Sequence, residues 1–321
     1  MGISLCSTLV VVAIVQGTAA SPPPAPAGDT GALRIQRAPD STDGRAQVAL
    51  GRAYLQRFDA AHAGGAVRDT LWARRVLDTA NEVLTRAALA LGSPPPGASP
   101  TGDTARVLRV RVWSERALLA WHRGGLALGP NTWGPLPGDL RLSPVLEELG
   151  ENLLRACPAG GALLTAADAD SYAAWYMRFV RGLRPDLLVI PLAVWRRDSL
   201  FRVRAAADLR LGRRARAEGW LGALVERRPV CVSMALDRPP DAQGATWRTR
   251  PLVWVAGPQV TDDPVPPRDF VFAALKVAVD NHDPWAQPVL ELYGRAARAT
   301  ARLCEAFSTF GVSGAIEACR H

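Results

Sequence analysis

The chain has 321 residues, 48% of them hydrophobic and 21% charged, with 28 glycines and 26 prolines. Apolar content at that level excludes an intrinsically disordered polypeptide and supplies the core of one large domain or two ordinary ones. The formal charge is +8, from 38 basic and 30 acidic residues, and Lys276 is the single lysine. Arginines dispersed among Ala, Leu and Val, without interleaved aromatics, do not form the basic stripe of a nucleic-acid binder, so no nucleic-acid partner is expected. The densest run, Arg213, Arg214 and Arg216, reads as a solvated helix face.

In chain order, residues 1–20 read as a signal peptide: an apolar run from Ile3 to Val15, then the small residues Gly17, Thr18, Ala19 and Ala20, with cleavage expected after Ala20. The run is shorter than the roughly 20 residues of a membrane-spanning helix, and no later segment reaches that length without charge. The mature chain is therefore expected to have no transmembrane span and to be exported, to the periplasm or the extracellular space. Residues 21–43, with Pro22, Pro23, Pro24 and Pro26 and no apolar period, read as a disordered Pro-rich leader.

Residues 44–140 read as a helical domain, with helices over Arg45–Phe58, Thr70–Leu91 and Thr104–Leu128. In the second, Leu71, Val76, Leu77, Ala80, Val83, Leu84 and Ala87 follow i, i+3, i+4 spacing; in the third, Leu108, Val112, Leu119 and Leu126 line one face. The pattern is that of packed, tetratricopeptide-like hairpins, although no dependable period of roughly 34 residues is present. A Pro and Gly cluster from Gly129 to Pro144 marks the boundary.

Residues 141–321 change character. The patterns predict a helix over Pro144–Ala156, a strand over Ala162–Ala166, a helix over Ser171–Arg181 and an apolar strand over Asp186–Val194. Helices over Ser199–Leu211 and Ala215–Glu226 follow, then strands over Pro229–Leu236 and Leu252–Ala256. Helices over Asp269–Val279 and Pro284–Ala306, and a short one from Val312, end the chain. Strands that alternate with helices and read as continuous apolar runs, such as Leu187-Leu188-Val189-Ile190, indicate an α/β domain with a short, mostly parallel sheet flanked by helices.

Export leaves Cys157, Cys231, Cys304 and Cys319 in an oxidising compartment. Cys304 and Cys319 flank the break Phe310-Gly311-Val312-Ser313-Gly314 and are expected to form a disulfide, whereas Cys157, at a helix end, and Cys231, in an apolar strand, read as buried small hydrophobes. With no Cys-x-x-Cys and with His62, His122, His282 and His321 dispersed, no metal is expected. The chain also lacks a Gly-x-Gly-x-x-Gly fingerprint and a Gly-x-Ser-x-Gly elbow, so no cofactor is expected. His282, beside Asp280 and Asp283, reads as part of a helix-end cap cluster.

The informative segment runs from Leu163 through Thr165, Asp168, Asp170, Ser171, Tyr172, Trp175 and Tyr176 to Gly182-Leu183-Arg184-Pro185-Asp186. A strand there releases two aspartates and a serine into a loop that opens a helix. Such residues cap helices, and the same loop sits at the carboxyl edge of a parallel sheet, where open α/β folds place ligands. Asp168, Asp170, Ser171, Tyr172 and Trp175, with Trp195 and Arg196 after the next strand, are the candidate ligand-binding residues; Trp175 and Trp195 would supply an aromatic wall of the kind sugars stack on. No residue is assigned a catalytic role.

The segment resembles the soluble, extracytoplasmic C-terminal region of bacterial membrane proteins of the protein O-mannosyltransferase-like family. There a strand leads into a Gly-Asp-Asn-Asp-Thr loop, an aromatic Trp-Tyr helix, and Gly-x-Arg-Pro-Asp before the next apolar strand. Asp168 and Asp170 match the two aspartates, Ser171 the threonine, Trp175 and Tyr176 the aromatic pair, and Gly182, Arg184, Pro185 and Asp186 the second half. Arg228-Pro229-Val230 and Arg250-Pro251-Leu252-Val253-Trp254 are similar to later landmarks, so the resemblance covers Pro144 to Val279. Ala167 and Ala169 replace the loop glycine and asparagine, and the multi-span membrane portion is absent from this chain. The resemblance implies an exported accessory domain and does not imply glycosyl transfer.

The function expected is an exported, non-catalytic binding or interaction module, accessory to glycan or cell-envelope processes, whose partner is a carbohydrate, a peptide segment or a protein of the cell envelope. The alternative is an enzyme acting on glycosidic or phosphate-bearing substrates through Asp168 and Asp170. A third possibility is a structural partner of a membrane transferase, docking through the helical part.

Overall fold

The computed structural model describes residues 43–62, 69–92, 99–124, 136–212, 219–242, 244–258, 260, 270–312, 314 and 319, all within the compact unit Ala38–His321. The expectations for residues 1–42, for Arg213, Arg214 and Arg216, for Leu126 and for most of the segment after Val312 lie outside the described residues. No described helix is long and apolar enough to cross a membrane.

Three helices come first: α1 (Gly44–His62), α2 (Thr70–Ala90) and α3 (Pro100–Gly124). The apolar stripe of α2 buries Ala73, Val76, Leu77, Ala80, Val83 and Leu84 against Tyr54, Leu55 and Phe58 of α1 and Val112 and Leu119 of α3, and Ala87 against Val48 of α1 and Ala105 of α3. Leu71 departs from the expected stripe: it is 66% exposed, because it stands at the first turn, where Asp69 accepts hydrogen bonds from the Leu71 and Trp72 amides and the helix has just begun. Gly51 of α1 lies directly on the Leu84 side chain and leaves no room for a Cβ.

Burial on two faces sets α3 apart. Val112 and Leu119 pack on α1 and α2, while Val107, Val110, Trp113, Ala117, Leu118 and Trp121 belong to the large core that also contains the sheet. Its arginines fasten it to its surroundings. Arg111 Nη2 lies 2.6 Å from both carboxylate oxygens of Asp59, Arg116 lies 2.6 Å from Asp78, and Arg109 makes a bidentate pair with Asp139 at 2.9 and 3.1 Å. Such forked pairs add geometric definition that a lysine would not give.

The α/β part follows as α4 (Pro144–Ala156), β1 (Ala162–Thr165), α5 (Asp168–Phe179), β2 (Leu188–Pro191), α6 (Leu192–Arg197), α7 (Ser199–Asp208), α8 (Trp220–Val225), β3 (Val230–Ser233), β4 (Arg248–Arg250), β5 (Val253–Ala256), α9 (Ala273–Asp280), α10 (Ala286–Ala299) and α11 (Ala301–Thr309). The five strands form one sheet in the order β2-β1-β3-β5-β4. β1 pairs in parallel with β2, in the register Ala162 to Leu188, and with β3, in the register Ala162 to Val230. β5 runs antiparallel to both β3 and β4, so the sheet is mixed. Every residue of β1, β3 and β5 is buried, as strands covered on both faces require.

Several elements differ from the periodicity, and the one that bears on the candidate residues is α5, which begins at Asp168, so Asp168 and Asp170 lie in its first turn where a loop to Ser171 was expected. The apolar run expected as a strand to Val194 ends at Pro191, which caps α6, so Leu192-Ala193-Val194 turns helical. β4 was not anticipated, because Arg248-Thr249-Arg250 is polar and largely exposed at the sheet edge. The helix expected over Pro284–Ala306 breaks at Thr300, whose extended backbone separates α10 from α11.

Polar side chains of α4 anchor the C-terminal helices. Glu148 accepts hydrogen bonds from the Ala274 and Leu275 amides at 2.8 and 3.0 Å, and Asn152 donates to the Val271 carbonyl and Tyr293 hydroxyl, both at 2.8 Å. Cys304 and Cys319 form a disulfide. Cys157 and Cys231 are also disulfide-bonded, which corrects their reading as free buried hydrophobes. The end of α4, which Cys157 caps, meets Cys231 of β3 with the two Cα atoms 5.8 Å apart across 74 residues of sequence, a proximity that no local pattern reveals.

Candidate functional site

The Gly182–Asp186 segment proves to be a structural joint. Gly182 and Arg184 both have positive φ, 69° and 49°, and the turn aims the Arg184 guanidinium at the end of α4. It donates to the carbonyls of Leu154, Cys157 and Pro158 at 2.8, 3.0 and 3.2 Å and to both oxygens of Asp186. Asp186 also accepts from the Gly160 amide at 2.9 Å, and the Arg184 bond holds its carboxyl well below the usual carboxylate range. A cation on the last carbonyls of a helix is favourably placed against its dipole.

A cavity of about 360 Å³ opens where α1 and α3 meet the carboxyl ends of β1 and β2. α3 presents Arg111, Ser114, Glu115, Leu118 and Trp121, and α5 presents Asp168, Ser171, Tyr172 and Trp175; both sets follow the i, i+3, i+4, i+7 spacing of one helix face. β2 adds Val189 and Pro191, two residues apart as one strand face requires, α6 adds Ala193, Val194 and Arg197, and α1 adds Asp59.

Four of the seven candidate residues thus line the cavity together: Asp168, Ser171, Tyr172 and Trp175. Asp170 is not among them. Two residues of helix rotate a side chain by roughly 200°, so Asp170 points away from Asp168. It is fully buried, and its oxygens accept from the Ala166 and Ala167 amides at 2.9 and 2.8 Å. Burial pushes its carboxyl above the usual range, against hydrogen bonds from the Ser233 hydroxyl and those amides. Trp195 is likewise buried, stacked on Trp220 with ring centroids 4.1 Å apart. Arg196 is exposed and does not line the cavity, whereas its neighbour Arg197 does. The one-residue difference follows from α6 beginning at Leu192, where an extended strand to Val194 was expected.

Electrostatics divide the lining. The Asp59 and Arg111 charges neutralise each other. Glu115 is half-buried and accepts no hydrogen bond among the described residues; withdrawal from water pushes its carboxyl up to about 7 despite the nearby Arg111. Burial also raises the Tyr172 hydroxyl above its usual value, with Arg111 opposing. Ser171 donates to the Thr165 hydroxyl at 2.8 Å. Asp168 and Arg197 are exposed at the cavity and make no ion pair among the described residues.

Asp198, next to Arg197 in the chain, accepts from the Leu200 and Phe201 amides and lies 2.5 Å from His122 of α3. Burial withdraws His62 of α1 from water and lowers its pKa, although its Nδ1 lies 2.8 Å from the Phe58 carbonyl. Among the described residues no group of three or more His, Cys, Asp or Glu is arranged to hold a metal ion.

Asp59, Arg111, Glu115, Trp121 and Arg197 were not anticipated. A signal for the α3 residues was present, since Arg111, Glu115 and Leu118 repeat at helical spacing, but nothing local says which strand-end loop this face meets. Family models, curated proteins and solved structures were each compared with the chain, and none matches it.

Proposed function

We propose that the chain is an exported, non-catalytic binding module whose ligand is a carbohydrate held in the cavity between α3 and the β1-α5 and β2-α6 segments. One observation carries the reading. Polar groups that make no hydrogen bond or ion pair among the described residues, Glu115, Asp168 and Arg197, converge with Trp121, Tyr172 and Trp175 around a volume of about 360 Å³, the combination of aromatic side chains and oriented polar groups that sugar recognition uses. The resemblance of the Leu163–Asp186 segment to the exported region of O-mannosyltransferase-like proteins supports a role beside glycan or cell-envelope processes. Two disulfides fit the oxidising compartment that the N-terminal apolar run implies.

A thermal-shift and calorimetric screen against oligosaccharides tests it. A sugar that stabilises the wild type but not Asp168→Ala supports the site; sugars that stabilise neither, while a protein of the cell envelope does, replace it with an interaction module. A second reading, an enzyme acting on glycosidic or phosphate-bearing substrates, is favoured by Glu115, whose pKa near 7 beside Asp168 gives two carboxyls of unlike protonation in one cavity. Release of reducing ends or phosphate by the wild type and not by Glu115→Gln would establish that reading.

A further inference from the structure

Resting on the carbohydrate reading above, we infer that the ligand carries a protonated amine, a sugar with a free amino group, seated between Glu115 and the aromatic side chains of Trp121, Tyr172 and Trp175.

The charge pattern of the lining leads there. Arg111 is committed to Asp59, with both carboxylate oxygens 2.6 Å from its Nη2, so that pair is neutral. Asp168 and Arg197 both lie toward solvent and make no ion pair with each other among the described residues, so the lining holds three carboxyl groups, Asp59, Glu115 and Asp168, against the two guanidinium groups of Arg111 and Arg197. Glu115 remains, half-buried, with no hydrogen-bond donor directed at it among the described residues. When it is ionised the lining carries one uncompensated negative charge. An ammonium group supplies both the missing charge and the missing donors, and a charge-assisted hydrogen bond in a site withdrawn from water is stronger than a neutral one.

The rest of the lining suits a cation as well. Aromatic rings attract cations through the negative face of the ring; of the three aromatic side chains that line this cavity Tyr172 is partly exposed, while Trp121 and Trp175 lie almost fully buried behind it, Trp121 stacked on Phe201. An anionic sugar would meet the Glu115 and Asp168 carboxylates. An uncharged or N-acetylated sugar would leave Glu115 with the desolvation that raises its pKa to about 7.

The test uses protein purified after expression of the full chain, and calorimetric titration at pH 6.5 with three hexasaccharides: glucosamine, N-acetylglucosamine and glucose. The expected result is binding of the glucosamine hexamer at least about tenfold tighter than either other, with that preference falling to within about threefold in Glu115→Gln. Asp168→Asn, at an exposed position, removes a second carboxylate charge from the same lining, so the preference is expected to fall in it as well, and it reads the site should Glu115→Gln fail to fold. Equal affinity for the three hexamers overturns the inference and leaves the carbohydrate reading standing. A glucosamine preference unchanged in both variants also overturns it. Binding of none of the three removes the inference together with the reading on which it rests.

Discussion

His122 of α3 places its Nε2 2.5 Å from Asp198 Oδ2, joining residues 76 positions apart with both side chains almost fully buried. The other Asp198 oxygen caps α7 through the Leu200 and Phe201 amides. This contact ties the helical part to the α6-α7 corner that carries Arg197. His122→Ala leaves a buried carboxylate without its partner and is expected to lower stability by about 3–5 kcal/mol in urea denaturation. Removal of the exposed pair Arg86–Glu82, by Arg86→Ala, should change it by less than about 1 kcal/mol.

Asp168 and Asp170 look equivalent in the sequence and should behave differently. Asp170→Ala removes the acceptor for two amides and is expected to cost about 1–3 kcal/mol in denaturation. Asp168→Ala, at an exposed position, should shift the midpoint little and weaken ligand binding. A binding titration of both variants beside their melting curves checks this; equal destabilisation by both would contradict the arrangement.

Glu115 sets a pH dependence of known sign. Its folded-state pKa of about 7 lies above the ordinary 4.5, so between these values the folded chain holds a proton that the unfolded chain has released. The stability it contributes is fully present below pH 4.5 and is lost as pH rises through 7. Glu115→Gln should therefore gain on the wild type toward pH 8, by about 1–2 kcal/mol once the solvent reaching this half-buried group is allowed for. Denaturation midpoints of both proteins from pH 4 to 8 would show the two curves diverging upward in pH.

The Cys157–Cys231 bridge closes a long loop through the centre of the sheet. Cys157→Ser is expected to cost about 2–5 kcal/mol under oxidising conditions and nothing further under reduction. Non-reducing peptide mapping should recover Cys157 linked to Cys231 and Cys304 linked to Cys319.

Gly150 lets α4 lie on α5: a Cβ there would come within 2.5 Å of the Ala173 carbonyl oxygen and 2.7 Å of the Met177 side chain. Gly150→Ala is expected to destabilise by about 1–3 kcal/mol, against the gain an exposed helical Gly→Ala change gives. Gly138→Ala, where no neighbouring atom lies within 4 Å, is the control, and melting temperatures of the two decide.

Local pattern was enough for the element types. The helical stripe of α2, the helix Pro144–Ala156 and the apolar strands β1, β3 and β5 are legible because a 3.6-residue period reports which helix face is buried and a short continuous apolar run reports a strand covered on both faces. It was enough, too, for the segment that follows the carboxyl end of β1, although Asp168, Ser171, Tyr172 and Trp175 lie on one face of α5 and not in a loop. The β4 edge escaped because an exposed edge strand needs no apolar period.

What the chain by itself determined, then, was its alternation of helices and apolar strands, its poverty in lysine, the Cys304 and Cys319 spacing and one strand-end segment. The tertiary structure decided the rest: that Asp170 turns inward while Asp168 faces the cavity, that Arg197 and not Arg196 lines it, that Cys157 meets Cys231, and that α3 brings Glu115 and Trp121 over the sheet edge. Periodicity encodes which face of an element is buried, a property of a few consecutive residues. Which two buried faces meet depends on packing between segments far apart in sequence, and the cavity exists only where they do.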